Sequence, residues 1–170
     1  MRVQPRSGRR VGRNLSLAGV TVILLLEGVG GLLGGVQMLG DPFGSPMGMS
    51  IEMLAGTPFG SYLIPGLLLT LVLGVYPLLA ALLLWWRPAW RAMAPLERLT
   101  GCHWSWCVAV TAGLAMIVWI GVQVAMLGPV HFLQAVVAGM GLVVVAVAFT
   151  PVVRRSYQRA PELVVRRKQG

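Results

Sequence analysis

Residues 22 to 35 read VILLLEGVGGLLGG, and their reading decides the fold. They sit inside an apolar run from Leu15 to Leu39, and about 20 such residues cross the roughly 30 Å of hydrocarbon in a bilayer as one helix. A carboxylate at the centre of such a span costs roughly 2.5–3.5 kcal/mol on insertion scales, so Glu27 calls for a partner or a task.

Three further apolar runs have the same character: Tyr62 to Trp86, Cys102 to Leu127 and Val130 to Thr150. Across the 170 residues 56% are hydrophobic and 11% charged, a balance that excludes a soluble globular domain. The expected fold is all-α: a polytopic four-helix transmembrane bundle spanning 15–150, between basic tails at 1–14 and 151–170.

The net charge of +9 does not mark a nucleic-acid surface, because the fourteen Lys and Arg fall only in segments that flank apolar runs. Arg2, Arg6, Arg9, Arg10 and Arg13 precede span 1; Arg87, Arg91 and Arg98 separate spans 2 and 3; Arg154 through Lys168 follow span 4. By the positive-inside rule both termini are expected in the cytoplasm of a cell-membrane protein, with the basic tails against anionic lipid headgroups. Trp85, Trp86, Trp90, Trp104 and Trp106 gather at the same end, where indoles anchor to the interface. The basic start followed by a long apolar run reads as a retained first span rather than a signal peptide.

The first outer loop, GDPFGSPMGMSIEMLAGTPFGSYLIPG at 40–66, is unusually apolar and rich in breakers. Ser45 as cap, Pro46 at the first position and Gly56 beyond the end predict a short interfacial helix over 46–55, with Met47, Ile51 and Leu54 on one face and Glu52 opposite. Pro65 and Pro77 each bend span 2 or mark its first turn. The second outer turn, at Gly128 and Pro129, is tight. GVQMLG at 35–40 recurs as GVQVAMLG at 121–128, which duplication of a hairpin and chance similarity of apolar segments both explain.

At 100° per residue, span 1 places Glu27, Gly30, Gly31, Gly34 and Met38 on one side. The spacing of Gly30 with Gly34 and of Gly31 with Gly35 predicts close approach of a neighbouring backbone, and Gly66, Thr70 and Gly74 of span 2 supply the matching stripe. Gln37, Gln123, Gln134 and His131 all fall in the outer half, where they either line a polar pocket with Glu27 as a ligand or proton site, or serve as interhelical hydrogen bonds. No Lys or Arg lies in any span, so an ionised Glu27 has to pair with a cation, a ligand, another subunit or water. Otherwise its carboxyl bonds a carbonyl or Thr70.

Cys102 and Cys107 are too few for a disulfide framework. With His103 they do not complete a metal site, and His103 and His131 lie at opposite faces, which excludes paired axial ligation of one haem. No cofactor is expected. No phosphate loop, nucleophile triad or paired-carboxylate motif occurs.

The segments DPFG at 41–44 and GTPFGSYLIPGLLL at 56–69 resemble small four-span bacterial integral membrane proteins that are mostly uncharacterised, over roughly residues 27 to 150. That resemblance implies topology and no chemistry. A carboxylate in span 1 is also similar to that of small multidrug-resistance exporters, from which this chain departs in its length, long outer loop and basic tails. Three classes of function stay open: a non-enzymatic structural or interaction subunit, with a membrane protein partner or as a homo-oligomer; a small ion-coupled transporter built on Glu27; and a membrane enzyme.

Overall fold

The computed structural model describes residues 6–45, 48–128 and 131–158, with side chains from Val11 onward. Four helices are long and apolar enough to cross a membrane, and they pack as one all-helical bundle. Helix α1 (Arg6–Gly40) pairs along its length with α2 (Leu63–Trp86). The short α3 (Ala94–Thr100) leads into α4 (Trp104–Leu127), which pairs with α5 (Phe132–Phe149); α6 (Pro151–Tyr157) follows.

The α1 helix starts well before the expected position 15 and carries the basic segment from Arg6 onward as helix. Its buried stripe is Leu17, Val20, Leu24, Glu27, Gly28, Gly31 and Gly35, a 3–4 spacing that keeps one face on the bundle. Against it, the middle of α2 is a π-helical stretch, Leu69–Val75, in which the Tyr76 N–H donates to the Leu71 carbonyl. The stretch ends two residues before Pro77, whose missing N–H breaks the ordinary ladder. Pro65 lies in the first turn of α2.

The π-stretch lies against α1 backbone to backbone. A methyl group on Gly31 would collide with the Leu73 carbonyl and lie 2.6 Å from the Gly74 nitrogen. One on Gly35 would lie 2.8 Å from the Thr70 nitrogen, and one on Gly28 would lie 2.5 Å from Leu78. From the α2 side, Gly66 faces Met38 at 2.7 Å and Gly74 faces Leu32 at 2.9 Å. The expected register is therefore corrected by about one residue: Gly30 looks into open space, Gly34 meets only the Leu69 side chain at 3.2 Å, and Gly28 and Gly35 take their places. The reason is that the doubled glycines straddle the contact line, which runs through Leu24, Gly31 and Gly35.

The second pair uses the same device more sparingly. Gly113 of α4 and Gly141 of α5 face each other, each placing its missing methyl within 2.9 Å of the other's carbonyl oxygen. Their helices are joined through Gly128, whose φ of +77° closes α4 in a conformation that suits glycine. The first copy of the repeated hexapeptide ends differently, with Gly40 inside α1 and no left-handed residue there.

Candidate functional site

Glu27 is 7% exposed, on the same face as Leu24 and one turn from the Gly31 contact with the π-stretch. Among the described residues no hydrogen bond or ion pair reaches its carboxyl. Thr70 is not its partner: the threonine hydroxyl donates to the Gly66 carbonyl at 2.8 Å and sits against Gly35, two turns along α1. Glu27 thus sets an acidic side chain into the first helix pair, one turn from the glycine contact with the π-stretch.

The four outer polar residues do not converge on it. Gln37 is exposed on α1. His131 and Gln134 close the start of α5 on each other: the Leu133 N–H donates to His131 Nδ1 at 3.3 Å, and the His131 N–H donates to Gln134 Oε1 at 3.4 Å. This is a capping box, with the amide nitrogen of Gln134 also donating to the Gly128 carbonyl at 3.4 Å. The spacing of residues 131 and 134 is the signal that identifies it. Gln123 alone faces a cavity.

That cavity, about 140 Å³, lies at the end of the bundle far from the basic residues. It forms because α4 packs chiefly on the Tyr76–Trp86 segment of α2, leaving the opposite ends of the two helices apart. Met38, Leu68, Trp119 and Met126 form its walls, and Met49, Met53 and Leu54 of the 41–62 loop form its roof. Leu68 and Val122 at its edge are 39% and 48% exposed, so the mouth lies on the apolar outer surface of the bundle. A recess lined chiefly by apolar side chains and opening on an apolar surface suits apolar groups.

Tyr62 holds the roof in place. Its N–H donates to the Pro42 carbonyl at 2.8 Å and its hydroxyl to the Ser50 carbonyl at 2.8 Å, with the ring 3% exposed. The expected helix over 46–55 is a single 3-10 turn, Ile51–Leu54, capped by Ser50 rather than Ser45. Leu54 is buried while Ile51 is exposed, and Pro46 and Met47 lie outside the described residues.

At the basic end the sequence reading missed a set of buried polar locks. Glu97 is 3% exposed and accepts from the Trp104 N–H at 3.4 Å, at the positive end of α4, with His103 Nε2 3.8 Å from the same oxygen. His103 itself caps α4 by accepting from the Ser105 N–H. Trp104 and Trp106 are not membrane anchors: they are 3% and 6% exposed, and their indole N–H groups donate to the Pro88 and Ala148 carbonyls at 2.8 Å each. Trp85, Trp86 and Trp90 are exposed.

The α6 helix, expected as part of a basic tail, folds back into this end. Tyr157, 2% exposed, donates its hydroxyl to the Leu84 carbonyl at 2.7 Å, and the His103 N–H donates to the Tyr157 carbonyl at 2.7 Å. Cys102 pairs with Gln158 in an isolated antiparallel bridge, and both cysteines are free thiols. The described residues hold no group of three or more His, Cys, Asp or Glu side chains placed for a metal ion. The remainder of the basic tail, from Arg159 through Lys168, lies outside the described residues.

These features define a class: a four-span, all-helical membrane bundle, locked at its basic end and recessed at the other, with a glutamate facing into the bundle on its first span. Compared with known protein families, curated proteins and solved structures, the chain matches none.

Proposed function

We propose that this chain is a non-enzymatic interaction subunit of the cell membrane, with both termini cytoplasmic, which receives an apolar element of a membrane protein partner in its far-end cavity. The observation that supports this reading is the preformed recess itself, walled by diverging helices and roofed by a loop that Tyr62 pins at both its backbone and its hydroxyl. A recess whose walls are already ordered takes an apolar side chain with little further loss of freedom. Methionines on wall and roof adapt to the shape of what enters. Pull-down of the tagged chain in mild detergent should recover one partner at constant stoichiometry, and substitution Gln123→Trp, which fills the recess, should lose it. Recovery of the same partner with the recess filled would reject this assignment.

A second reading has its own observation. Glu27 is 7% exposed as a residue, its carboxyl makes no hydrogen bond or ion pair among the described residues, and it lies one turn from Gly31, where α1 meets the π-stretch of α2. Such a group serves a coupled ion or proton in many membrane proteins. If it does so here, Glu27→Gln folds normally and behaves as a null in proton-gradient-dependent uptake by vesicles. If it is packing alone, Glu27→Gln keeps full function and only Glu27→Leu destabilises, by about 1–2 kcal/mol.

A further inference from the structure

The basic end contains a recess that the function proposed above does not use. About 340 Å³ in volume, it is lined by Arg13, Asn14, Leu17, Leu84, Trp85 and Arg87. Two arginines from different parts of the bundle therefore line one space, and no acidic residue among the described residues lines it. Neither arginine makes an ion pair among the described residues. Both act on the same buried phenol: burial pushes Tyr157 up, and the charges of Arg87 and then Arg13 oppose that shift.

Arg87 is fixed before anything binds. It is the only described non-glycine residue with a left-handed backbone, at φ 48°. Its Nε donates to the Leu84 carbonyl at 3.2 Å, its Nη1 donates to the Ser156 carbonyl at 3.2 Å, and the guanidinium lies 3.8 Å over the Tyr157 ring. A strained backbone held by this many contacts aims a side chain at a set position. Arg13 lies half-buried on α1, four residues before Leu17, and its only described polar contact is to the neighbouring Asn14 at 3.3 Å. Two like charges lining one recess, with no carboxylate there among the described residues, favour an anion.

The depth of the recess identifies which anion. Trp85 is 55% exposed beside it, and its indole nitrogen donates to Thr21, an arrangement suited to the level where bilayer meets water. At that level, basic pockets between spans hold phospholipid headgroups, and arginine forks match phosphate oxygens. We propose that Arg13 and Arg87 clamp the phosphate of an anionic phospholipid headgroup, with its acyl chains running along the exposed faces of α1 and α2.

The test is native mass spectrometry of the full chain in detergent, titrated with phosphatidylglycerol and with phosphatidylcholine. The wild type should bind one phosphatidylglycerol with a preference of about tenfold or more. Arg13→Gln should reduce that preference to near unity, and Arg91→Gln, an exposed arginine outside the recess, should leave it unchanged. Arg87→Gln should match Arg13→Gln, but because Arg87 also braces Tyr157, the Arg13 variant decides the matter. An unchanged preference in Arg13→Gln would overturn the clamp in favour of diffuse basic charge. Displacement of the lipid by an equal concentration of inorganic phosphate would overturn it in favour of a soluble anion.

Discussion

The two ends of the bundle are built on opposite principles. At the basic end, helices converge and buried polar groups tie them together: Trp106 to Ala148, Trp104 to Pro88, Tyr157 to Leu84, and Glu97 to the start of α4. At the far end, α2 and α4 part, and methionines of a pinned loop cover the gap without filling it. The same composition of apolar residues thus yields a rigid base and an adaptable mouth. Polar bonds made where water is scarce fix geometry, whereas unbranched thioethers fix very little.

If this contrast is real, truncating side chains at the two ends has unequal consequences. The largest effect belongs to Trp106→Ala, which removes a buried ring, its bond to Ala148 and its edge contact with Phe149 at 5.1 Å. A loss of about 3–5 kcal/mol is expected for emptying such a site, read from unfolding in mixed detergent and SDS. A change under about 1 kcal/mol would mean that the base is not locked.

A smaller loss follows Tyr157→Phe, which keeps the ring beneath Arg87 and removes only the hydroxyl bond to Leu84: about 1 kcal/mol in the same assay. The same phenol gives a pH signature. Because burial raises its pKa in the folded state, the unfolded chain loses this proton first as pH rises. The stabilisation is therefore complete below the ordinary tyrosine value of about 10 and declines above it. Unfolding at high pH should show this decline in the wild type and a weaker one in Tyr157→Phe; identical profiles would break the link.

The mouth, by contrast with the Trp106 site, should tolerate truncation. Met126→Ala enlarges a cavity already present, and its cost should fall below about 2 kcal/mol, the bottom of the range for a fully buried methionine. A cost equal to that of Trp106→Ala would erase the difference between the ends.

How much of this was legible in the sequence follows the same division. Hydropathy fixed the four spans, because the cost of exposing backbone to hydrocarbon leaves helices as the solution for such runs. Gly31, Gly66 and Gly74 were readable as a contact from their spacing, but a one-residue error in the face misassigned Gly30, since adjacent glycines give no sign of which one meets the partner. Of the helix expected over 46–55, the described residues hold a single 3-10 turn, Ile51–Leu54, in a loop whose ends Tyr62 bonds at Ser50 and Pro42. His131 and Gln134 drew a ligand reading where their three-residue spacing spelled a capping box. Arg13 and Arg87 are 74 positions apart, and only the folding of α6 onto α2 gives Arg87 its fixed place.

The central claim, that the far-end mouth is where this protein meets its partner, is tested most directly by a photoreactive amino acid at Val122, on the rim of the cavity. In native membranes, irradiation should yield one discrete protein adduct from Val122 and none from Leu114, an exposed position two turns away on the same helix. Adducts to lipid alone, or the same protein adducts from both positions, would contradict it.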